Sequence, residues 1–292
     1  MEICSKSWEI LGSKIEVKLP ENFSFLFDSC FDELARIERK YSRFNDSSLL
    51  SSINNSLNKP HKVDSEFIYL LEKSLEFWKK TEGNFDISLK SALDRIGYDK
   101  NYSFKEKQSE IPNILLDQAI KIDKSTNVVQ LLCEIEFGGF GKGFALDQLS
   151  NLIEKAGCDH YFLNAGGDIF AKSNNDQTPW PVLLEHPDDQ TLAIGAVMIN
   201  GCAIAASAPN RRKWRDNHHL INAKTKRPAN ANKAIFLLAA SGIEADAYST
   251  AVFTAGFEEG IELSRKLPIE LLLVSNKNQM YKSDGFDVIL YS

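Results

Sequence analysis

The 292-residue sequence has few cysteines and no long apolar run. The five cysteines are odd in number, widely spaced and form no C-x-x-C pair, which is typical of reduced thiols in the cytosol. No apolar stretch approaches the roughly 20 residues that a membrane-spanning helix needs. Residues 1–11 lack the basic patch and apolar stretch of an export signal. We therefore expect a cytoplasmic, globular protein without a membrane-spanning segment.

The sequence also lacks an excess of positive charge. Its 34 lysines and arginines are outnumbered by 40 aspartates and glutamates, so the formal net charge is -6. Because clustered lysine and arginine side chains supply much of the affinity for phosphate backbones, this balance disfavours a nucleic-acid partner. The main basic cluster, Arg211 to Lys213, is more typical of a solvated loop than of an anion site.

The hydrophobic pattern of the first half predicts one strand followed by three helices. Residues 7–19 alternate like a strand, and apolar residues then recur at helical spacing over 27–41. Asp64 can cap a second helix that ends at Gly83, and a third should follow the glycines at 138–143.

The second half is richer in strands. Short β-rich runs separated by turn residues fill 159–240, residues 245–266 return to helix, and closing strands follow. This order predicts an α+β fold with a mixed twisted sheet flanked by helices, rather than a regular βαβ alternation. Because the sequence contains no repeat or convincing linker, we expect a single domain over residues 1–292.

The strongest local signal is the glycine-rich segment from Glu136 to Gly143, where a strand leads into a helix. Such a turn can expose backbone amides beside the positive end of a helix, so a diphosphate could approach with Lys142 as a mobile charge. The spacing matches neither a Walker A loop nor a dinucleotide-binding G-x-G-x-x-G turn. A tight turn without a ligand is an equally good interpretation of the segment alone.

A second signal combines a carboxylate and a hydroxyl on one helix. Asp246 and Thr250 lie four residues apart and therefore share a helix face. Oxygen ligands of this kind suit a hard cation such as Mg²⁺. The alternative is that Asp246 caps the helix and Thr250 packs against it.

A third signal is the histidine pair, His218 and His219. A histidine of near-neutral pKa can accept a proton from a hydroxyl, but on a strand the two rings point to opposite faces, so at most one faces a given site. His61, His160 and His186 stand alone, and we expect each to be structural or solvated.

Taken in order, these segments resemble the ApbE family of FAD:protein FMN transferases from about Trp8 to Gly256. The matches are Leu11–Ser13 with M-G-T, Tyr41–Phe44 and Asn54 with S-x-Y/F…N, Gly83–Asp86 with G-x-F-D, Glu136–Asp147 with D-L-G-G-I-A-K-G-Y-A-V-D, Asn164–Asp168 with N-x-G-G-D, His218–Thr225 with H-H-I-x-D-P-R-T, and Asp246–Thr250 with D-A-x-x-T. Taken alone, the glycines of Asn164–Asp168 could admit a ligand or merely form a hairpin turn.

The resemblance implies an ApbE-like fold with its active site in a cleft between two lobes. It also implies that Mg²⁺ holds the diphosphate of FAD, that a threonine or serine hydroxyl of an acceptor flavoprotein attacks the FMN phosphorus, and that AMP leaves. The implied Mg²⁺ ligands are the carbonyl oxygen of Gly139 and the side chains of Asp246 and Thr250, and His219 is the candidate base. The implied FAD-site residues are Leu11, Phe44, Asn84, Phe85, Asp86, Glu136, Lys142 and Leu220.

Several positions depart from the family pattern. Glu136 replaces an aspartate, Asn222-Ala223 replaces Asp-Pro, Lys226 replaces a glycine, and Ala205–Pro209 stands where A-T-S-G-D is common. These changes leave two alternatives open: Mg²⁺-dependent hydrolysis of FAD by water, and FAD binding without turnover.

Overall fold

The computed structural model describes residues 2–174, 177–210 and 212–291, and Arg211 of the basic cluster lies outside them. Its strands are β1 (Ile3–Ile10), β2 (Ser13–Pro20), β3 (His61–Lys62), β4 (Ile120–Asp123), β5 (Val128–Leu131), β6 (Tyr161–Ala165), β7 (Asp168–Lys172), β8 (Trp180–His186), β9 (Asp189–Ile199), β10 (Cys202–Ser207), β11 (Lys213–Trp214), β12 (Asn217–His218), β13 (Ile221–Asn222), β14 (Arg227–Pro228), β15 (Asn232–Ala239), β16 (Glu270–Ser275), β17 (Met280–Lys282) and β18 (Val288–Leu290). Its α-helices are α1 (Phe27–Tyr41), α2 (Leu49–Asn54), α3 (Ser65–Lys80), α4 (Lys90–Arg95), α5 (Leu116–Ala119), α6 (Gly141–Lys155), α7 (Gly242–Ala255) and α8 (Phe257–Ser264). Short 3-10 helices cover Glu21–Leu26 and Ile87–Leu89.

The chain divides into two compact units. The first unit comprises residues 1–38, 140–211 and 230–292, and the second comprises 39–139 and 212–229. One boundary falls within α1, and another falls just before α6. No helix of the described ranges is both long and apolar enough to cross a membrane.

The first unit is built on an eight-stranded sheet in the order β1-β2-β6-β7-β10-β15-β16-β17. Every ladder in this sheet is antiparallel. The predicted α+β class is therefore confirmed, but the sheet is not mixed. Parallel neighbours need long crossovers, whereas three of these pairs, β1–β2, β6–β7 and β16–β17, are joined by short turns that favour antiparallel pairing. Strands β8, β9 and β18 form a smaller sheet in the same unit.

The predicted strand over 7–19 is two strands joined by a tight turn. Leu11 and Gly12 both have positive φ angles, 57° and 66°, and Ile10 pairs with Ser13 across the hairpin. Because directly paired residues share a face of the sheet, the more buried positions are even-numbered in β1 and odd-numbered in β2, and this change of phase marks the turn that the prediction missed. The strained backbone of Leu11 is held by Glu38, whose Oε1 accepts a 2.8 Å hydrogen bond from its N–H.

The helix predictions are confirmed for 27–41 and for the segment capped by Asp64, whose Oδ1 accepts a 3.0 Å hydrogen bond from Phe67 N–H. Helix α6 begins at Gly141, inside the glycine segment rather than after it. The predicted helix over 245–266 was wrong in extent, because it starts earlier, at Gly242, and is broken at Gly256, where φ is 104°.

Helix α7 is buried on nearly all sides, with eleven of its fourteen residues buried. Ser241 is its N-cap and accepts a hydrogen bond from Glu244 N–H. Asp246 lies in the second turn, so the alternative that Asp246 caps this helix is wrong. A carboxylate on a buried helix costs folding free energy unless a nearby positive charge or hydrogen bonds balance it.

Helices α6 and α7 contact each other through two glycines. A Cβ on Gly143 would lie 2.0 Å from the carbonyl oxygen of Gly242, and one on Gly242 would lie 2.4 Å from the carbonyl oxygen of Gly143. Asp147 secures the contact, because its carboxylate accepts hydrogen bonds of 2.6 and 2.9 Å from the N–H groups of Gly242 and Ile243. The two backbones therefore approach more closely than any other residue pair would allow.

The second unit contains a three-stranded sheet, β3-β5-β4, with α2 to α5 and two short ladders, β11–β12 and β13–β14. Segment 97–107 of this unit has no regular secondary structure. Hydrogen bonds to the carboxylate of Asp99 hold the segment in place. The carboxylate of Asp99 accepts hydrogen bonds from the N–H groups of Asn101 and Ser103, from Ser103 Oγ and from Lys107 Nζ. The ion pair with Lys107 and these hydrogen bonds hold the pKa of Asp99 well below its usual range.

We expect Gly143→Ala to destabilise the protein by about 1–3 kcal/mol, because the new methyl group collides with the Gly242 backbone. The sign of the change in unfolding free energy is informative, because replacing glycine by alanine inside a helix otherwise stabilises a protein by about 1 kcal/mol. Urea unfolding measures the difference. Gly141→Ala is the matched control, because a Cβ there meets nothing within 4 Å, and its stability should be unchanged or higher. Equal effects of the two variants would contradict the proposed contact.

We expect the segment 97–107 to loosen at acid pH. Because the folded pKa of Asp99 is depressed, its hydrogen bonds stabilise the segment above the unfolded pKa of about 4 and are lost as the pH falls towards the folded value. Amide-exchange protection of Asn101 and Ser103 should then fall by up to about tenfold per pH unit. In Asp99→Asn the protection should be low and independent of pH. Constant protection in the native protein between pH 5 and pH 3 would refute this role.

Candidate active site

The first unit places one lysine between two aspartates. Lys142 Nζ lies 2.8 Å from Asp168 Oδ2 and 3.3 Å from each carboxylate oxygen of Asp246. Gly143 N–H, in the first turn of α6, donates a 3.0 Å hydrogen bond to Asp246 Oδ2. We call Lys142, Asp168 and Asp246 the lysine–carboxylate cluster.

Both carboxylates of the lysine–carboxylate cluster are buried, each 4% exposed. Burial raises the pKa of Asp168, and the ammonium group of Lys142 offsets part of this effect. Two buried carboxylates share one ammonium group, so the position carries an excess of negative charge when both are ionised. Such a position favours additional positive charge.

The oxygen atoms around this position fit a hard cation. Thr250 lies one turn after Asp246 on α7 and is half-buried. Within the described ranges, no group of three or more histidine, cysteine, aspartate and glutamate side chains is arranged to hold a metal. A cation here would therefore also need the Thr250 hydroxyl, a backbone carbonyl, water or phosphate oxygens, which is the ligand mixture that Mg²⁺ commonly takes.

Asp168 was not predicted as a site residue, although it ends the quoted Asn164–Asp168 segment. Gly166 and Gly167 form the two-residue turn between β6 and β7, with φ angles of 68° and 108°. The hairpin interpretation of this segment is therefore confirmed. The turn places Asp168 at the start of β7, where its Oδ1 accepts a 3.2 Å hydrogen bond from Ala206 N–H. Asp168 could have been predicted from the sequence, because an aspartate directly before three apolar strand residues is unusual.

The second unit gathers six rings that we call the aromatic cluster. Its members are Phe44, Tyr98, Tyr102, Phe104, Trp214 and His219. Phe44 stacks on Tyr102 with centroids 5.0 Å apart, and Tyr98 stacks on Trp214 at 5.7 Å. Sequence reasoning identified only Phe44 and His219, because three of the other rings belong to the irregular segment around 97–107.

Arg43 lies against this cluster and was also missed. Its guanidinium carbon is 4.4 Å from the ring centroid of Phe44 and 5.1 Å from that of Tyr98. The same group donates hydrogen bonds to Asp94 Oδ1 at 3.0 Å and to the carbonyl oxygen of Tyr98 at 2.6 Å. The Arg43 guanidinium is buried and held by these hydrogen bonds, so it holds the rings of Phe44 and Tyr98 in position.

The two adjacent histidines differ in burial, but only His218 lies on a strand, because β12 ends there. His218 is 2% exposed, and its Nδ1 accepts a 3.2 Å hydrogen bond from Leu220 N–H. His219 is half-buried and its ring lies 6.1 Å from that of Tyr98. The ring of His219 is therefore the more accessible of the two, whereas Leu220 is buried at 5% exposure.

The isolated histidines make structural or surface contacts, as expected. His61 Nε2 lies 3.1 Å from Ser56 Oγ, and His186 Nδ1 accepts a hydrogen bond from Asp188 N–H. His160 is buried and stacks on Trp180 at 4.8 Å.

The segment after α3 holds three of the predicted FAD-site residues. Phe85 is buried against Phe77, with ring centroids 5.7 Å apart, and Asn84 is 3% exposed. Asp86 Oδ1 accepts a hydrogen bond from Ser88 N–H, and its Oδ2 lies 3.5 Å from Lys226 Nζ. Of the three residues, Asp86 is the least buried.

Glu136 begins the glycine segment and organises it. Its Oε2 accepts a 2.8 Å hydrogen bond from Gly138 N–H. Asn54 holds Ile135, the residue before Glu136, through two hydrogen bonds. Its side-chain amide donates to the carbonyl oxygen of Ile135 at 2.8 Å and accepts from Ile135 N–H at 3.0 Å. Gly139 follows in a turn and is half-buried.

The altered segment after the histidines keeps an ordered turn. Asn222 Oδ1 accepts hydrogen bonds from the N–H groups of Lys224 and Thr225 at 3.0 and 2.8 Å, so the amide supplies the acceptor that an aspartate would. Lys226, where the family pattern has glycine, has a φ of 56°, which costs a non-glycine residue roughly 1–2 kcal/mol. The turn is retained at a cost in strain.

The predicted site residues fall into two groups. The first unit holds Leu11, Lys142, Asp246 and Thr250, and the second holds Phe44, Asn84, Phe85, Asp86, Glu136, Gly139, His219 and Leu220. The structure brings Lys142 and Asp246 together in one group, and Phe44 and His219 into the aromatic cluster of the other.

Comparison with known proteins finds similar sequences and similar solved structures. The FAD:protein FMN transferase of Escherichia coli (strain K12) is 24% identical over 94% of this chain and 81% of its own length. That of Haemophilus influenzae is 26% identical over 97% and 90%. The crystal structure of the ApbE protein from Thermotoga maritima matches with a TM-score of 0.90 at 22% identity, and the flavin transferase ApbE from Vibrio cholerae with 0.83 at 19%, each covering 98% of both chains.

The two solved structures establish the fold, and the family is established from the sequence. The model of the ApbE family matches residues 11–273, which include the glycine segment, the histidine pair and the whole of α7. Because this match covers most of the 292 residues, this chain belongs to the ApbE family.

Proposed function

We propose that this protein transfers FMN from FAD to a threonine or serine hydroxyl of an acceptor flavoprotein, with release of AMP, in a Mg²⁺-dependent reaction. Family membership and the relatives named FAD:protein FMN transferase support the proposal. The observation that carries it is the lysine–carboxylate cluster, a buried position with an ammonium group and excess negative charge. That chemistry suits a divalent cation and a diphosphate together.

Asp246 and Thr250 would hold Mg²⁺ through their side chains, and Gly139 would contribute its carbonyl oxygen. Bound there, the ion would neutralise charge on the diphosphate as it builds up during transfer. Lys142 would supply a further positive charge to the phosphate oxygens. The side chain of Lys142 is 22% exposed, so it is not sealed in the core.

The transfer itself forms one bond and breaks one. The hydroxyl oxygen of the acceptor bonds to the FMN phosphorus, and the bond from that phosphorus to the bridging oxygen breaks. AMP leaves with the bridging oxygen, and the hydroxyl proton passes to His219. The half-buried position of His219 beside Tyr98 supports this role, since its ring is ordered yet reachable.

The remaining predicted residues would form the FAD site. The rings of the aromatic cluster lie 5.0 to 6.1 Å from their neighbours, and such a set offers flat faces for a heterocycle. Phe44 and Asp86 would contact the ligand through side chains. Leu11, Asn84, Phe85, Glu136 and Leu220 would shape the site.

We also propose that residues 1–292 work as one transferase domain, because the family match includes segments of both compact units. A cytoplasmic location is proposed from the cysteines, which are all free. Burial raises the pKa of Cys30 to about 12 and that of Cys133 to about 11, so these thiols are unreactive where they stand.

The first test follows FMN and AMP together. Incubated with FAD, Mg²⁺ and candidate acceptor flavoproteins, the protein should add the mass of FMN to one acceptor and release an equal amount of AMP. Asp246→Ala should lower the rate at least about a hundredfold, by removing a buried metal ligand. AMP without a modified acceptor would indicate hydrolysis, and neither product with any acceptor would leave only FAD binding.

The second test concerns the base. His219→Asn should slow FMN transfer by about 100-fold or more while FAD still binds, because the proton acceptor is lost but the other five rings of the aromatic cluster remain. His218→Asn is the matched control. An asparagine oxygen can replace His218 Nδ1 as the acceptor for Leu220 N–H, so transfer should persist. An equal loss in the two variants would exclude His219 as the specific base.

A further inference from the structure

We propose that Lys142 is an internal placeholder cation: its ammonium group occupies the divalent-cation position between Asp168 and Asp246, and cation binding displaces it. Asp168 then becomes a second carboxylate of the cation site. The inference depends on the cation requirement in the proposed function, but not on the identity of the acceptor or on FMN transfer itself.

The geometry of Asp168 supports a role towards a cation. The side chain is 4% exposed, and Ala206 N–H donates a hydrogen bond to its Oδ1 at 3.2 Å. No aligned hydrogen bond reaches Oδ2 from the described part of the chain, so its charge is balanced by the ion pair with Lys142 Nζ at 2.8 Å. A buried carboxylate oxygen balanced in this way is ready to accept another positive ion.

The geometry of Asp246 completes the position. Its oxygens are equidistant from Lys142 Nζ, 3.3 Å each, so the ammonium group faces the carboxylate centrally rather than through one directed hydrogen bond. Ammonium thus stands where an ion would, as a point charge. Gly143 N–H adds a 3.0 Å hydrogen bond to Asp246 Oδ2 from the backbone.

The lysine and a divalent cation cannot share the position. Mg²⁺ binds carboxylate oxygens at about 2.0–2.1 Å, so an ion between Asp168 and Asp246 would lie within a few ångströms of the present Nζ. Charges of +2 and +1 at that separation repel strongly, and the carboxylates that now hold the ammonium group would be taken by the ion. Lys142 must therefore leave when the cation enters.

This exchange would couple cation binding to phosphate binding. While it is held by both aspartates, Lys142 is neutralised and offers little attraction to a diphosphate. Once it is displaced, its charge becomes available. The cation would thus prepare the site for FAD, in addition to contacting the phosphates itself.

The test measures binding of Mg²⁺ or Mn²⁺ alone, by titration calorimetry on the full chain without FAD or acceptor. Lys142→Met should bind the cation about tenfold more tightly than the native protein, because the internal competitor is gone. Asp168→Asn should weaken binding by about tenfold or more, because one carboxylate is lost. Lys142→Met should also have a lower melting temperature without cation, and the cation should restore it.

Lys172→Met is the matched control. Lys172 also pairs with a carboxylate, Glu154 at 2.9 Å, but outside the lysine–carboxylate cluster, so its removal should leave cation affinity unchanged. Cation binding by Lys142→Met that is no tighter than native, or by Asp168→Asn that is undiminished, would overturn the proposal. A protein that passes these tests but transfers no FMN would contradict the proposed function and leave the placeholder role intact.

A second measurement needs no variant. Lysine acetylation of the native protein, quantified by mass spectrometry, should increase at Lys142 when Mg²⁺ is added without nucleotide, because the side chain is released from both aspartates. Lys172 provides the internal reference. Unchanged or reduced labelling of Lys142 at saturating Mg²⁺ would show that the ammonium group stays in place.

Discussion

The backbone contact between Gly143 and Gly242 is the constraint on which the lysine–carboxylate cluster depends. Lys142 directly precedes one glycine, and Asp246 lies one turn after the other, so the approach of the two backbones sets the distance between ammonium and carboxylate. Only glycine, which has no Cβ, permits that approach. The Asp147 carboxylate maintains it by accepting hydrogen bonds from two backbone N–H groups at the start of α7. Packing and electrostatics are thus fixed by the same few atoms.

The same contact changes the role of the glycine segment. A glycine turn before a helix would ordinarily offer its amides to phosphate. Here the N–H of Gly143 is directed at Asp246, a carboxylate of the protein itself. The helix end and Lys142 together stabilise two buried aspartates that would otherwise repel each other, which is a cost that a purely structural region would avoid. The arrangement keeps an excess of negative charge at a buried position, which the proposed divalent cation would offset.

The sequence predicted the regular elements and the motif residues better than it predicted their partners. Periodicity identified α1 and α3, and the i, i+4 spacing of Asp246 and Thr250 placed both on one helix. Asp168 was not predicted because it is important through its ion pair with Lys142, which lies 26 residues earlier. Local sequence patterns do not reveal pairs that are this far apart in the chain. The aromatic segment around 97–107 was missed because Asp99, rather than a periodic pattern, shapes it. The break at Gly256 depends on a φ of 104°, which periodicity does not reveal.

Two departures from the family pattern leave the backbone turn after the histidine pair in place. Asn222 replaces an aspartate but still accepts two backbone hydrogen bonds, so the turn beyond the histidines is closed as an aspartate would close it. Lys226 replaces a glycine and keeps a positive φ, and its Nζ lies 3.5 Å from Asp86. The substitution therefore puts a positive charge beside a predicted FAD-site residue while the backbone path is retained. Because strain of this kind persists only where the surroundings compensate for it, the ion pair with Asp86 and the hydrogen bond from Arg95 to the Lys226 carbonyl oxygen explain how the chain tolerates lysine there.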